Sequence, residues 1–240
     1  MKGILTSNIQ KAKRYIKENR RRKIAAAYYR EHEALRPGNY YSTNCFDYYK
    51  CIFIHIPKTA GLSVSKSLFG NYAGGHLSYD SYVKKFGKAT VDNYFKFTFV
   101  RNPWERLASA YFFLKKGGMN SADAAFAKKY LSSVNNFESF VNDWLSEDNL
   151  DLYYHIIPQY KYITSNNAER IMVDFVGKYE NLQDDFRRIC NSIFHTEKLL
   201  LDINSTEASK IKYKTLYTED MKKKVAVLYA MDIQMFGYAF

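Results

Sequence analysis

The sequence predicts an α/β domain, a parallel sheet flanked by helices, with a basic N-terminal helix in front of it. Three observations lead there. Residues 51–63 and 97–111 each read as a buried apolar strand, a tight loop carrying a basic residue, and then a helix. Strand and helix patterns go on alternating along the chain, and strands separated by helices pair in parallel. Charge gathers at one end: residues 1–36 hold eleven Lys or Arg against three acids, +8 of the total +12. At 240 residues the chain suits one domain with an appendage. The expected division is a basic helical segment over 1–38 and a main domain over 39–240.

In chain order, Ile9, Ala12, Ile16, Ile24, Ala27, Tyr28 and Leu35 recur at helical spacing. Residues 9–36 therefore read as a basic amphipathic helix closed by Pro37-Gly38. It can be a solvated helix docked on the domain, a helix on an anionic membrane or polyanionic acceptor, or a nucleic-acid binder. No zinc-finger or RNA-recognition pattern is present, which ranks nucleic acid last. Residues 51–56 form the first apolar strand, and Gly61 to Phe69 a short helix. Ser78 can cap a helix from Tyr79 to about Phe86, ended by Gly87. Tyr94 to Val100, β-branched and aromatic, is the second strand. Pro103 opens a helix to about Lys116, stopped by Gly117-Gly118. Helices follow over 121–131 and 136–147, then a third strand over 171–176. Asn181 to about Phe194 is a helix with Leu182, Phe186, Ile189, Cys190 and Ile193 on one face. Thr218 caps a last helix to about Ala230. Ligands of parallel sheets bind at the carboxyl ends of the strands, where both basic loops fall.

Composition narrows the classes. Apolar residues make up 47%, enough for a sizeable core, and 22 tyrosines lift the aromatic share to 17%. Tyrosine at this density fills cores and rims, and it also lines clefts for sugars or bases. No run of about 18 apolar residues occurs, so no membrane span is expected. The N-terminus lacks an apolar signal region. Cys45, Cys51 and Cys190 lack the spacing of a zinc site and are odd in number for disulfides, so a reducing cytoplasm is expected.

The two loops carry the chemistry. Pro57-Lys58-Thr59-Ala60-Gly61-Leu62-Ser63 is P-loop-like, but Lys58 precedes Gly61, whereas the ATPase form puts Lys after its last Gly. Gly61 lets backbone approach an anion, Lys58 supplies a point charge, and Thr59 and Ser63 offer hydroxyls. No metal-holding acid follows in an obvious pattern, so no metal is expected. In the second loop Ser109 lies two helical turns beyond Arg101. Arg can grip a phosphate bidentately and Ser can add one bond. Against this, Arg101 can serve a structural pair with Glu105, a role for which Arg106 looks better placed.

Together these motifs resemble the sulfotransferases that use 3′-phosphoadenosine 5′-phosphosulfate (PAPS), and within them the carbohydrate branch. Residues 56–63 (IPKTAGLS) look like the 5′-phosphosulfate loop and residues 99–111 (FVRNPWERLASAY) like the 3′-phosphate motif. Gly75-His76-Leu77-Ser78-Tyr79 resembles uronyl and heparan sulfate 2-O-sulfotransferases. Residues 154–159 (YHIIPQ) resemble the HxxPQ stretch of bacterial members, and residues 174–182 (DFVGKYENL) their strand end. Asp232-Ile233 and Phe236-Gly237-Tyr238 also fit, so the likeness runs over about residues 50–240, with Leu62 where Thr is common. The resemblance implies that Lys58, Thr59, Ala60, Gly61, Leu62 and Ser63 cradle the phosphosulfate of PAPS while Arg101 and Ser109 hold its 3′-phosphate. It implies that His76 is the general base and Lys58 its catalytic partner, and it places His155 and Gln159 on the side of a carbohydrate acceptor. It further implies a cytoplasmic enzyme. The basic segment is not part of the resemblance; its charge and apolar stripe suggest peripheral contact with the inner face of an anionic membrane. A kinase-like phosphotransferase and a non-catalytic polyanion-binding module are the competing readings. His55, within the first strand, reads as a core histidine.

Overall fold

Three short strands organise the chain, and the computed structural model describes residues 14–21, 23, 36–165, 170–203 and 212–240. Strand β1 (Cys51–Ile54) pairs in parallel with β2 (Phe95–Val100), which pairs in parallel with β3 (Phe175–Lys178). All of β1 and all of β2 beyond Phe95 are buried. That is why β1 reads as an unbroken apolar run rather than an alternating one. Two polar residues enter the central strand with their needs met. Lys96 Nζ donates to Tyr94 O at 2.8 Å and lies 2.9 Å from Asp174 Oδ2. Thr98 Oγ1 donates to Ile54 O at 2.7 Å.

The helices are α1 (Asn44–Tyr49), α2 (Gly61–Phe69), α3 (Tyr79–Phe86), α4 (Lys88–Asn93), α5 (Pro103–Lys115) and α6 (Ser121–Tyr130). There follow α7 (Phe137–Ser139), α8 (Tyr160–Ile163), α9 (Leu182–Phe194), α10 (Glu219–Leu228) and α11 (Ala230–Phe236). Several starts are capped as their sequences require. The Ser78 side chain accepts from Ser81 N–H, Asn120 from Asp123 N–H, and Thr218 from Met221 N–H. Pro103 occupies the first turn of α5, where its missing N–H costs nothing, and Asn102 caps it.

The structure corrects several boundaries. β1 stops at Ile54, not residue 56. The third strand begins at Phe175 rather than at 171. Asp174 sets that start: its Oδ2 accepts Lys96 N–H at 2.7 Å while its own N–H donates to Lys96 O at 2.8 Å. Ile171 makes only an isolated antiparallel bridge to Thr164. The helix expected over 136–147 opens with a reciprocal Asn136–Ser139 cap but widens to a π-helix over Phe140–Trp144. The last helix breaks at Tyr229 into α10 and α11. Helices α1, α4 and α8, of four to six residues, are too short to show a hydrophobic period.

Two apolar clusters result. One surrounds the sheet and takes in Phe46, Phe53, Val64, Tyr82, Phe97, Phe186 and Ile189. The other gathers about α5, with Leu107, Tyr111, Phe126, Phe140, Met221 and Tyr229. Of the expected basic helix, residues 14–21 are helical and Tyr15 and Ile16 are 67% and 65% exposed. Most of the remaining 9–36 lies outside the described residues. From Gly38 onward the chain is tied in: Gly38 N–H donates to Gly70 O and Tyr72 N–H to Tyr40 O. Among the described residues no helix is long and apolar enough to cross a membrane.

Asp232, fully buried, locks the two clusters together. Its carboxylate accepts Gln159 N–H and Tyr160 N–H, each at 2.8 Å. Asp232→Ala leaves both buried donors without a partner and is expected to cost about 2 kcal/mol or more. Guanidinium unfolding monitored by far-UV circular dichroism checks this; an unchanged midpoint would remove the clamp from the fold's essentials.

Candidate active site

At the carboxyl edge of the sheet both basic loops open into one cavity of about 660 Å³. Lys58, Ala60, Gly61, Leu62 and Ser63 line it from the first loop, Arg101 and Ser109 from the second, and His55, His76 and His155 between them. Thr59 and Gln159 do not line it.

The first loop is strained into place. Lys58 and Ala60 hold positive φ angles of 70° and 66°, a left-handed backbone uncommon for side chains with a Cβ. Such turns converge successive N–H groups into an anion nest. No side chain caps the N-terminus of α2, so its first N–H groups face the same place. Gly61 is obligatory: a Cβ there would stand 1.8 Å from the His55 ring. Thr59 Oγ1 donates to Ile56 O at 2.8 Å and shapes the loop from within. Ser63 Oγ exchanges 3.2 Å bonds with the backbone of Ile203, so segment 200–203 borders the cavity along α2.

Positive charge accumulates without matching acids. The Lys58 ammonium lies 3.8 Å above the Phe113 ring and has no ion-pair partner among the described residues. Burial, helped by Arg101 and Arg106, lowers its pKa to about 8. Arg101, 5% exposed, donates from Nη1 to Lys58 O at 3.2 Å and from Nη2 to Glu105 Oε1 at 2.7 Å. Its guanidinium stacks 3.9 Å from the Tyr179 ring, and its buried Nε has no partner. The sequence reading that gave Glu105 to Arg106 is thus corrected. Arg106 is fully buried and donates instead to the carbonyls of Pro57 and Ile157, at 2.9 and 3.0 Å. It braces the first loop against the segment that carries His155.

Gln159 is corrected too. It is fully buried; its Oε1 accepts Arg101 N–H at 2.9 Å and its Nε2 donates to Arg101 O at 2.8 Å. With its amide spent on the end of β2, it cannot read an acceptor. His155 does border the cavity, and its Nε2 donates to Asp123 Oδ1 at 3.2 Å. Burial drops its pKa to about 4.

His76 is held at one nitrogen. Its Nδ1–H donates to His55 O at 2.9 Å, which leaves Nε2 as the lone-pair atom. The ring lies 4.3 Å from that of His55 and stacks on Tyr154 at 5.1 Å and 24°. Burial lowers the His76 pKa, partly offset by the bond to His55 O and the charge of Asp123.

Sequence reasoning missed three contributors: His55, Tyr179 and Asp123. His55 sits just past β1, lines the cavity and leaves Nδ1 unpartnered. Tyr179 and Glu105 hold Arg101, and Asp123 holds the His155 side. Asp123 accepts from residues 30 to 32 positions away, a relation no local spacing encodes. The strand-end likeness at residues 174–182 was the one signal that pointed toward Tyr179.

Fold and site together define an α/β domain with a cavity lined by Lys58 and Arg101 at the carboxyl edge of a parallel sheet. The chain belongs to the sulfotransferase family, whose model matches residues 41–239. It is also similar to an uncharacterized protein of Archaeoglobus fulgidus, 32% identical over 121 residues that cover 50% of this chain and 85% of that one. The family makes the chain a transferase of sulfuryl groups.

Gly61→Ala forces the His55 ring aside and with it the carbonyl that holds His76. We expect Tm to fall by about 2–10 °C, the range for one overpacked buried site in a domain of this size. The His76 titration should also rise toward the ordinary value near 6.5 as the ring gains water. Proton NMR of the histidine Cε1–H signals in wild type and variant checks both ends of that claim.

Proposed function

We propose that the protein transfers the sulfuryl group of PAPS to a hydroxyl of a carbohydrate acceptor, with His76 as general base. One observation carries this reading: the His55 carbonyl fixes the His76 tautomer, so an unprotonated Nε2 shares a cavity with the cationic loop around Lys58. The residues suit the donor. Arg101, whose buried Nε lacks a partner, lines the cavity with Ser109, and the two would hold the 3′-phosphate. Lys58, the N–H groups of Ala60 to Ser63 and the free end of α2 would hold the phosphosulfate. The donor, when bound, supplies an activated sulfuryl group on a phosphate leaving group.

The chain's own residues do the rest. A sugar hydroxyl stays protonated near neutral pH, so its attack gains from a base that takes the proton as the O–S bond forms. His76 Nε2 receives it, and the resulting imidazolium keeps its Nδ1–H on His55 O. Lys58 faces the negative charge that builds on the departing oxygen, where a fixed cation in a dry site is most effective. Phe113 backs the Lys58 ammonium with an aromatic face.

Arg101→Ala should weaken binding of adenosine 3′,5′-bisphosphate by about 1.5–3 kcal/mol, the scale of a hydrogen bond to a charged group. Isothermal titration calorimetry measures it, and equal affinities would move the 3′-phosphate elsewhere. Turnover should respond to His76 and Lys58 separately. His76→Ala should lower kcat by roughly 10²–10⁴-fold with bisphosphate affinity nearly kept. In wild type, kcat/KM should rise with pH through a His76 pKa below 6.5 and fall again as Lys58 loses its proton near 8. Lys58→Arg keeps its charge, so its alkaline limb should vanish even if activity drops. A limb that persists in Lys58→Arg belongs to another group.

A further inference from the structure

Beside His76 lies a buried group of side chains that the transfer step does not use. Asp123, 1% exposed, sits in the first turn of α6. Its Oδ1 accepts from Tyr153 OH and Tyr154 OH, both at 2.6 Å, and from His155 Nε2 at 3.2 Å. Its Oδ2 accepts Met119 N–H at 2.8 Å. Gly118 makes this approach possible, since a Cβ there would stand 2.1 Å from the Asp123 side chain. Burial pushes the Asp123 pKa up, but these donors outweigh it and the carboxyl is held below its ordinary range.

An ionised carboxylate only accepts, so the proton of the neutral His155 ring must sit on Nε2. Nδ1 is then a lone pair. It is buried and has no hydrogen-bond partner among the described residues, although the ring borders the cavity. An unsatisfied buried acceptor costs free energy unless a ligand fills it. His155 is 5% exposed, and its ring centroid is 5.9 Å from that of His76. The two rings therefore share one stretch of the cavity wall, within the span of a single sugar ring and its substituents.

We propose that His155 Nδ1, with its tautomer set by Asp123, accepts a hydrogen bond from a donor group next to the attacked hydroxyl, so that the acceptor is read as a vicinal pair. This deepens the carbohydrate reading and rests on it. The shared chemistry is an O–H or amide N–H donor on the adjacent carbon, and a hydroxyl gives a 1,2-diol acceptor. Asp123 is a positioning residue that acts through His155.

The test uses the full chain with adenosine 3′,5′-bisphosphate bound and ¹⁵N-labelled histidine. Long-range ¹H–¹⁵N NMR should show His155 protonated at Nε2 and bare at Nδ1 before any sugar is added. Asp123→Asn can present an amide N–H to Nε2, and should invert that tautomer. A His155 proton on Nδ1 in wild type overturns the proposal, whatever the enzyme sulfates and whether or not the variant folds. Methyl pyranosides carrying a vicinal diol are then titrated at millimolar concentration, beside their monodeoxy and acetamido counterparts. The diol should shift both His76 Nε2 and His155 Nδ1. The monodeoxy sugar should shift His76 alone and should lose at least about tenfold in kcat/KM with PAPS, since a site built to bond a group rejects the analogue without it. An acetamido sugar that matches the diol assigns the donor to an amide N–H. Sugars that are sulfated yet shift His76 alone in every case, or shift neither ring, overturn the proposal. Absence of transfer from PAPS to any sugar, with the Nε2–H tautomer confirmed in the free protein, is instead a failure of the carbohydrate reading.

Discussion

Everything at the site hangs from the way β2 ends. A strand leaving a sheet must find partners for backbone groups that no neighbour strand pairs. Here the Gln159 side chain takes both the N–H and the carbonyl of Arg101, and Asp232 in turn holds the Gln159 backbone. One residue further, Asn102 N–H donates to Glu180 Oε1 at 2.6 Å, and its side chain reaches Ala239 O at 2.8 Å. Three distant stretches of chain therefore converge on two consecutive residues, with Asp232 behind one of them. Arg101 is aimed by that convergence before any ligand arrives, and preorganisation of this kind is what a charged group needs in order to act.

Charge explains why the cavity suits an anion. Lys58, Arg101 and Arg106 are all drawn from water around the first loop. Burying cations is unfavourable unless partners compensate. Arg106 is compensated by carbonyls, and Arg101 in part by Glu105 and the Tyr179 face. Lys58 has an aromatic face and no ion-pair partner among the described residues, and burial lowers its pKa. The nearest acid on the other side, Asp123, already accepts four hydrogen bonds and has little left to offer.

The histidines divide the cavity by hydrogen bonding rather than by sequence. His55 gives its carbonyl to His76 and its ring to the packing beside Gly61. His76 is left basic at Nε2, and His155 at Nδ1. Three rings of one residue type thus take three different parts because each meets a different neighbour.

The sequence by itself determined the alternation of strands and helices, the caps at Ser78 and Thr218, the Pro103 start of α5 and the basic residues of both loops. These are local matters, set by hydrophobic period, capping chemistry and residue type within a few positions. The tertiary structure alone decided where β3 starts, because Asp174 answers to Lys96 across the sheet. It decided that Arg101, not Arg106, meets Glu105, because Arg106 is buried and spends its guanidinium on the carbonyls of Pro57 and Ile157. It took Gln159 out of the cavity and brought Asp123 and His55 to its wall. Those outcomes rest on partners up to 78 residues apart, as between Lys96 and Asp174. A hydrogen bond of that span exists only after the chain has packed, so no spacing along the sequence announces it.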